Sequence, residues 1–440
     1  HMACSVRIRR QRGSRSLERK MNFLEQLAAR RRFGMKPGLS TIRAVCRSLG
    51  DPQERIRAVH IAGTNGKGAV AALLDASLRS AGLKVGRYTS PHLVRLNERF
   101  FLNGSPVDDD KLEEISLRVE KAVSSTGDAG EGTTFFEALT AVAFSLYAES
   151  GVDAAVLETG LGGRLDATNI CNPALTVITR IGLDHCDWLG DTVEKIAVEK
   201  AGIIKSGVPV VLGENLPEVR EIIEKRAKEL DAPFYYAPDM ALELEIPAGY
   251  SLQGSFNREN ALTAIAALKV IRERKLFNLP QAERINDGFS NVVWPGRFQK
   301  VGNVLVDGAH NPPAARALVN ALKELPEKKY ILVAGFCADK DVGETLSILA
   351  PFISKAYAIK TNNPRSLEPS ELALKMRSQG IDADTSSTLS EALRLAKADV
   401  QSTGGVTVLV CGSLFLAGEA LVALNAYPWS SVRFDPSERL

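Results

Sequence analysis

A single strand-to-helix turn constrains this chain more than any other feature. The short run Ala58-Val59-His60-Ile61-Ala62 passes into Gly63-Thr64-Asn65-Gly66-Lys67-Gly68, and a helical pattern starts at once. An extended run that breaks on glycines and resumes as a helix opens a βα unit, and such units imply a parallel sheet with helical crossovers. Phosphate oxygens need backbone N–H groups at close range, the positive end of a helix and a cation. The turn supplies all three. It departs from the GxxxxGK[ST] pattern, because Ile61 stands where the first glycine would be and Gly68 follows the lysine. The hydroxyl that ligates magnesium in that pattern must therefore come from another segment.

The alternation continues along the chain. Strands are expected at Ala58–Ala62, Val85–Thr89, Ala154–Glu158, Leu175–Thr179 and Val208–Leu212, with helices at Lys67–Ser80, Phe136–Ser150 and Val193–Ile204. A second series follows Trp294-Pro295-Gly296, a rigid-then-flexible tripeptide suited to a hinge: strands at Val304–Asp307, Tyr330–Ala334, Ala356–Lys360 and Val406–Cys411, with helices between them. At 440 residues the chain is too long for one ordinary core. The expectation is an α/β protein of two domains. Residues 21–295 form a P-loop-type, mostly parallel sheet domain, and residues 296–440 a smaller Rossmann-like one.

Charge and composition narrow the function. A net charge of +3 is too small for a nucleic-acid binder, and no apolar run approaches the length of a membrane helix. The cysteines Cys4, Cys46, Cys171, Cys186, Cys337 and Cys411 are scattered without a CxxC pair, which suits thiols in a reducing cytosol. His1-Met2 reads as a cloning scar. Ala3 to Lys20 is rich in arginine and serine with Glu18 its one acid, a composition shared by solvated tails and organelle transit peptides. A disordered tail on a cytoplasmic monomer is the expectation.

In open parallel sheets, ligands bind at the carboxyl ends of strands, so the polar segments there carry the chemistry. Thr89-Ser90-Pro91-His92-Leu93 follows one strand, with Asn97-Glu98-Arg99 soon after; Glu158-Thr159-Gly160 leads to Leu165-Asp166-Ala167-Thr168-Asn169; Gly182-Leu183-Asp184-His185 follows a third. Magnesium takes oxygen ligands and keeps waters, so a carboxylate with a hydroxyl suits it, and histidine is a less usual partner. Each of these residues also has an ordinary role as a turn or strand-end group. Phe135 and Phe136 open a helix, where a ring either packs in the core or stacks on a flat heterocycle.

Ala62-Gly63-Thr64-Asn65-Gly66-Lys67-Gly68 resembles the nucleotide loop of the Mur-ligase superfamily, in its folate branch, the folylpolyglutamate synthase/dihydrofolate synthase family. The likeness runs from Met21 to about Ala423. It implies ATP contacts at Gly63, Thr64, Asn65, Gly66, Lys67, Gly68, Asn260, Arg297 and Asp307. It implies magnesium at Ser90, Glu158 and His185, with Ser90 supplying the missing hydroxyl. A second ion would be supported by Lys200, carbamylated in that family. Thr134, Phe136, Asp166 and Ala167 would meet the pterin. His310, in Asp307-Gly308-Ala309-His310-Asn311-Pro312, would lie beside the incoming glutamate with Ser413. Two departures stand out: Ala69 replaces the usual Ser or Thr, and Ser255-Phe256-Asn257 replaces Gly-x-His-Gln, so Asn257 receives no role.

The residues give Lys200 a reading of their own. It shares the helical face of Val193, Ile196, Ala197, Ala201 and Ile204, where a lysine either snorkels to water or carries chemistry. The implied reaction is ATP-dependent ligation of L-glutamate to a folate or to dihydropteroate through an acyl phosphate, with Lys67, Lys200, His310 and Arg297 as catalytic groups. The rivals are a Mur-type peptidoglycan ligase, a small-molecule kinase and a nucleotide-binding scaffold without activity.

Overall fold

The computed structural model describes residues 38–429 apart from positions 128, 129, 131, 244, 404 and 405; the basic tail and the segment opening at Met21 lie outside them. Two sheets organise the chain. The first contains β1 (Ala58–Ala62), β2 (Val85–Tyr88), β3 (Phe100–Leu102), β4 (Ser105–Pro106), β5 (Ala154–Glu158), β6 (Pro173–Ile178), β7 (Val210–Leu212) and β8 (Phe234–Tyr236), in the spatial order β4-β3-β2-β5-β1-β6-β7-β8. Its strands pair in parallel from β2 through β8, and β3 and β4 form an antiparallel edge.

β1 lies between β5 and β6, and β1 and β5 are buried along their whole length, which is why they read as continuous apolar runs. The polar exception, His60, is fully buried, and its Nε2 lies 2.8 Å from Thr168 Oγ1. On one face the helix Lys67–Ser80 buries every residue from Gly68 to Leu78, packed with the helices Ser255–Glu273 and Gly288–Asn291. The other face carries Asp109–Ser125 and Phe135–Ser150. The helix expected over Val193–Ile204 ends at Ala201. A Cβ on Gly202 would lie 2.6 Å from the Arg164 Cα, so the chain turns there against a neighbouring backbone.

The second sheet contains β9 (Gln299–Val301), β10 (Val304–Val306), β11 (Tyr330–Ala334), β12 (Ile353–Ala358), β13 (Ala383–Thr385) and β14 (Thr407–Cys411), ordered β13-β12-β11-β14-β10-β9. It is parallel except for β9, which turns back on β10 through Gly302, at φ +60°, and Asn303. Helices cover both faces. No helix among the described residues is long and apolar enough to cross a membrane.

Candidate active site

The carboxyl ends of β1, β2, β5 and β6 face the start of the second sheet across a cavity of about 580 Å³. The first sheet's share of the lining includes Thr64, Asn65, Gly66, Lys67, Gly68, Ser90, Glu158, His185 and Asn260; the second adds Arg297, Asp307 and His310.

The loop after β1 is built for close backbone approach. Gly66 sits at φ +88°, and a Cβ there would lie 2.1 Å from Asn260 Oδ1, so Asn260 reaches directly over the loop. Thr64 and Asn65 N–H donate to the Arg180 carbonyl at 2.9 and 3.2 Å, and Thr179 Oγ1 donates to the Asn65 carbonyl at 2.7 Å, which ties the loop to the end of β6. The first bond of the following helix runs from Val70 N–H to the Gly66 carbonyl at 2.9 Å, with no side-chain cap. The amides of Lys67, Gly68 and Ala69 at this positive helix end are the ones left for an anionic ligand. A backbone amide needs no hydroxyl, so Ala69 serves as well as serine for that contact. Lys67 Nζ donates to the carbonyls of Gly63 at 3.0 Å and Thr64 at 3.2 Å.

Glu158 ends β5 and is buried, and its Oε2 accepts Ser90 N–H at 3.0 Å. Burial raises its carboxyl above the usual range, while Lys67, the Ser90 amide, Arg297 and Arg99 act in the opposite direction. Burial prevails over all four, so a further cation beside the carboxylate would stabilise its charged form. His185, at φ +52°, keeps a half-exposed ring that burial holds below the ordinary histidine range, with Asp184 opposing; the neutral imidazole is the ligating form. Among the described residues no three His, Cys, Asp or Glu side chains gather as a metal cluster. Magnesium suits such a site, since it is held by one or two carboxylates, waters and substrate phosphates rather than by an all-protein cage.

The second sheet meets this wall through its first segment. Gly308 N–H donates to the Gly296 carbonyl at 2.9 Å, and Asp307 accepts the Phe298 and Ala309 amides, both at 2.8 Å. Burial lowers the Arg297 guanidinium and raises the Asp307 carboxyl, and each opposes the shift of the other. His310 Nδ1 donates to the Gly308 carbonyl at 2.9 Å, which leaves Nε2 with its lone pair. Burial also holds this ring below the usual range. Asn311 Nδ2 donates to Asp184 Oδ2 at 3.2 Å, a direct bond between the two halves.

Other residues expected at the site stand behind this wall. Lys200 is 4 % exposed and its Nζ donates to the Gly63 carbonyl at 2.7 Å, beneath the loop. Burial first, then Lys67, lowers its amine to about 7. Gly63 is the floor of the same loop. Asp166 accepts the Gly160, Leu161 and Thr168 amides at 2.8, 2.9 and 3.0 Å, so both its oxygens organise the turn that contains Ala167. Thr134 caps the helix that opens with Phe135 and Phe136, and the Phe136 ring packs where a Cβ on Gly160 would lie, 2.5 Å from its Cζ. Ser413 is buried and caps the helix Leu414–Ala423 through Phe415 N–H at 3.1 Å. None of these residues lines the cavity itself; Gly160 joins their cluster to it.

The match to a Mur ligase middle domain covers residues 61–230, and that to a Mur ligase, glutamate ligase domain covers 296–414. The dihydrofolate synthase/folylpolyglutamate synthase of Bacillus subtilis is 38% identical over 336 residues, 71% of this chain and 78% of that protein. The chain belongs to the folylpolyglutamate synthase/dihydrofolate synthase family. Its architecture is that of the Mycobacterium tuberculosis folylpolyglutamate synthase complexed with ADP and AMPPCP, at a TM-score of 0.83, 30% identity, and 93% and 100% coverage of the two chains. It is equally that of Escherichia coli FolC in complex with DHPP and ADP, at 0.79, 32%, and 92% and 98%. A bifunctional enzyme of the family with Mn, AMPPNP and L-glutamate bound aligns at 0.78, 32%, and 92% and 98%. The protein is an acid–amino-acid ligase of this family.

Several groups of the ligase site were not singled out by the sequence. Phe101, Trp294 and Trp429 give the cavity aromatic walls from three distant segments. The Trp294 ring lies over Gly68, where a Cβ would sit 2.3 Å from its Cζ2. Trp294 was visible as part of the hinge tripeptide, whereas no local signal places Phe101 or Trp429.

Proposed function

We infer that the cleft joins L-glutamate to the free carboxylate of a folate or dihydropteroate, with ATP converted to ADP and phosphate. The carrying observation is that Lys67 at an uncapped helix start and Arg297 from the opposite domain line one cavity with Ser90 and Glu158. A carboxylate does not react with an amine until its oxygen becomes a good leaving group, and phosphorylation achieves that. The loop amides and Lys67 hold the terminal phosphates, and Arg297 balances charge on the transferring group. Ser90, Glu158 and His185 would hold one magnesium, and Lys200, once carbamylated, would support a second; the ions supply charge neutralisation to the phosphates. A neutral Lys200 amine reacts with carbon dioxide to give a carbamate and a proton, and its depressed basicity favours that chemistry. His310, with Nε2 unprotonated, is placed to take a proton from the incoming glutamate amine, and Ser413 to help hold that substrate.

Asp307 and Asn260 are the further nucleotide contacts. Thr134, Phe136, Asp166 and Ala167 form a pterin pocket whose turn Asp166 shapes. Closing the two domains excludes the water that would hydrolyse an acyl phosphate. The buried cysteines Cys46, Cys171, Cys337 and Cys411 suit a cytoplasmic setting, and a monomer is the proposed working form. Mass spectrometry of products from dihydropteroate and from tetrahydrofolate, each with ATP, magnesium and glutamate, tests the assignment and decides between the acceptors. The account fails if neither acid gains a glutamate residue while ATP is turned over.

A further inference from the structure

The segment after the helix Leu414–Ala423 reaches back onto the first domain. Tyr427 Oη donates to Glu98 Oε1 at 2.6 Å, across the domain boundary, and both residues are more than nine-tenths buried. Trp429 packs edge-on against Phe101 at 5.1 Å and against Tyr427 at 5.6 Å.

Glu98 is an unusual receiver. Its carboxylate already accepts the backbone amides of Leu93, Val94 and Arg95 at 2.8, 2.8 and 2.7 Å. One carboxylate therefore gathers three consecutive amides of the loop that starts at Ser90, and the loop is closed at its base by Thr89 N–H on the Arg99 carbonyl at 3.1 Å. The apolar side chains of this loop belong to the other domain. Leu93 and Val94 sit in the core formed by Leu416, Ala417, Leu421 and Tyr427. A Cβ on Gly418 would lie 2.5 Å from the Leu93 carbonyl, so the helix backbone presses directly on the loop.

The loop begins at the residue whose amide holds Glu158, 3.0 Å from its Oε2. Its far end leads to Phe101, whose ring lies 3.8 Å from the Arg87 guanidinium carbon; Arg87 in turn pairs with Asp75, in the helix that begins at Lys67, at 3.3 Å. One end of the loop thus terminates on the Ser90–Glu158 contact and the other on the buried Arg87–Asp75 pair behind the helix that begins at Lys67, while its middle is held by the second domain.

We propose that Glu98 is a positioning residue for the Ser90 loop and that Tyr427 straps it to the second domain, so that docking of that domain sets the cation-side geometry. The inference rests on the ligase reading of the cleft. Y427F removes one hydroxyl and keeps the ring. Loss of a hydrogen bond to a carboxylate corresponds to roughly a tenfold effect or more. Hydrogen exchange at the amides of residues 93–95 should speed up by about that factor, with the rest of the first domain unchanged. The kcat should fall by about tenfold, while KM for ATP stays within about twofold, because the loop after β1 is anchored separately by Thr179 and Arg180. The double variant Y427F/E98Q should lose no more than E98Q alone. Wild-type exchange in Y427F overturns the strap, and faster exchange with unchanged kcat overturns the positioning role. Absence of any product from the wild-type enzyme would sink the ligase reading instead, and the exchange comparison, which needs no turnover, still decides whether Tyr427 holds the loop.

Discussion

Replacing Lys200 with methionine should stabilise the protein and inactivate it. Lys200 is 4 % exposed, and burial followed by repulsion from Lys67 brings its amine from the usual 10.5 to about 7. At about 1.4 kcal/mol for each pH unit, that fall represents roughly 5 kcal/mol spent on keeping the ammonium folded. Between pH 7 and 10.5 the unfolded chain carries a proton that the folded protein has released, so wild-type stability rises with pH across that window. Methionine keeps the length of the side chain and has nothing to titrate. Its advantage is therefore full below pH 7, shrinks from 7 to 10.5 and is gone above. It also forfeits the bond to the Gly63 carbonyl, worth about 1–3 kcal/mol, although Lys67 Nζ donates to the same oxygen at 3.0 Å. The net gain at pH 6 is about 2–4 kcal/mol. Urea unfolding of nucleotide-free protein at pH 6, 7.5 and 9 in carbonate-free buffer reads it as a change in midpoint. Activity on the same samples should fall at least about a hundredfold. In Lys200→Ala, which leaves room, short carboxylic acids should restore part of it. A stability difference that does not change with pH, or a Lys200→Met protein less stable than wild type at pH 6, would refute the reasoning.

Three further substitutions probe the wall of the cavity and the turn behind it. Lys67→Ala should lower kcat by about a hundredfold or more with circular dichroism unchanged, because the lysine sits half-buried on the cavity wall and belongs to no hydrophobic core. Gly66→Ala should abolish nucleotide binding in calorimetry, since its Cβ would lie 2.1 Å from Asn260 Oδ1 on a backbone at φ +88°. Asp166→Asn turns one acceptor oxygen into a donor facing backbone N–H groups, which should cost about 1–3 kcal/mol by thermal unfolding and raise KM for the acceptor acid more than for ATP.

Local pattern was enough where the chain's own chemistry is local. Ala58–Ala62 and Lys67–Ser80 fall where the apolar run and the glycines put them, because a central parallel strand is buried on both faces and the loop has few conformations open to it. The antiparallel strands β3, β4 and β9 escaped, although Asn103-Gly104 and Gly302-Asn303 are two-residue hairpin turns with positive φ at Asn103, Gly104 and Gly302. Three-residue strands such as Phe234–Tyr236 and Ala383–Thr385 carry too little periodicity to register. Ser90, Glu158 and His185 were legible as polar residues at strand ends, but their convergence depends on the order in which the strands assemble. The bonds from Asn311 to Asp184 and from Tyr427 to Glu98 span 127 and 329 residues, and nothing in either segment announces its partner. Lys200 was readable in part: helical spacing put it on the inward face, whereas only the fold puts the Gly63 carbonyl above it.

The central claim is that the acceptor carboxylate is activated as an acyl phosphate, and isotope transfer tests it most directly. An acceptor acid labelled with oxygen-18 in its carboxylate, incubated with ATP, magnesium and glutamate, should give ADP and inorganic phosphate carrying one labelled oxygen for each amide bond formed. Release of AMP and pyrophosphate with the label in AMP, or phosphate free of label alongside the amide product, would contradict it.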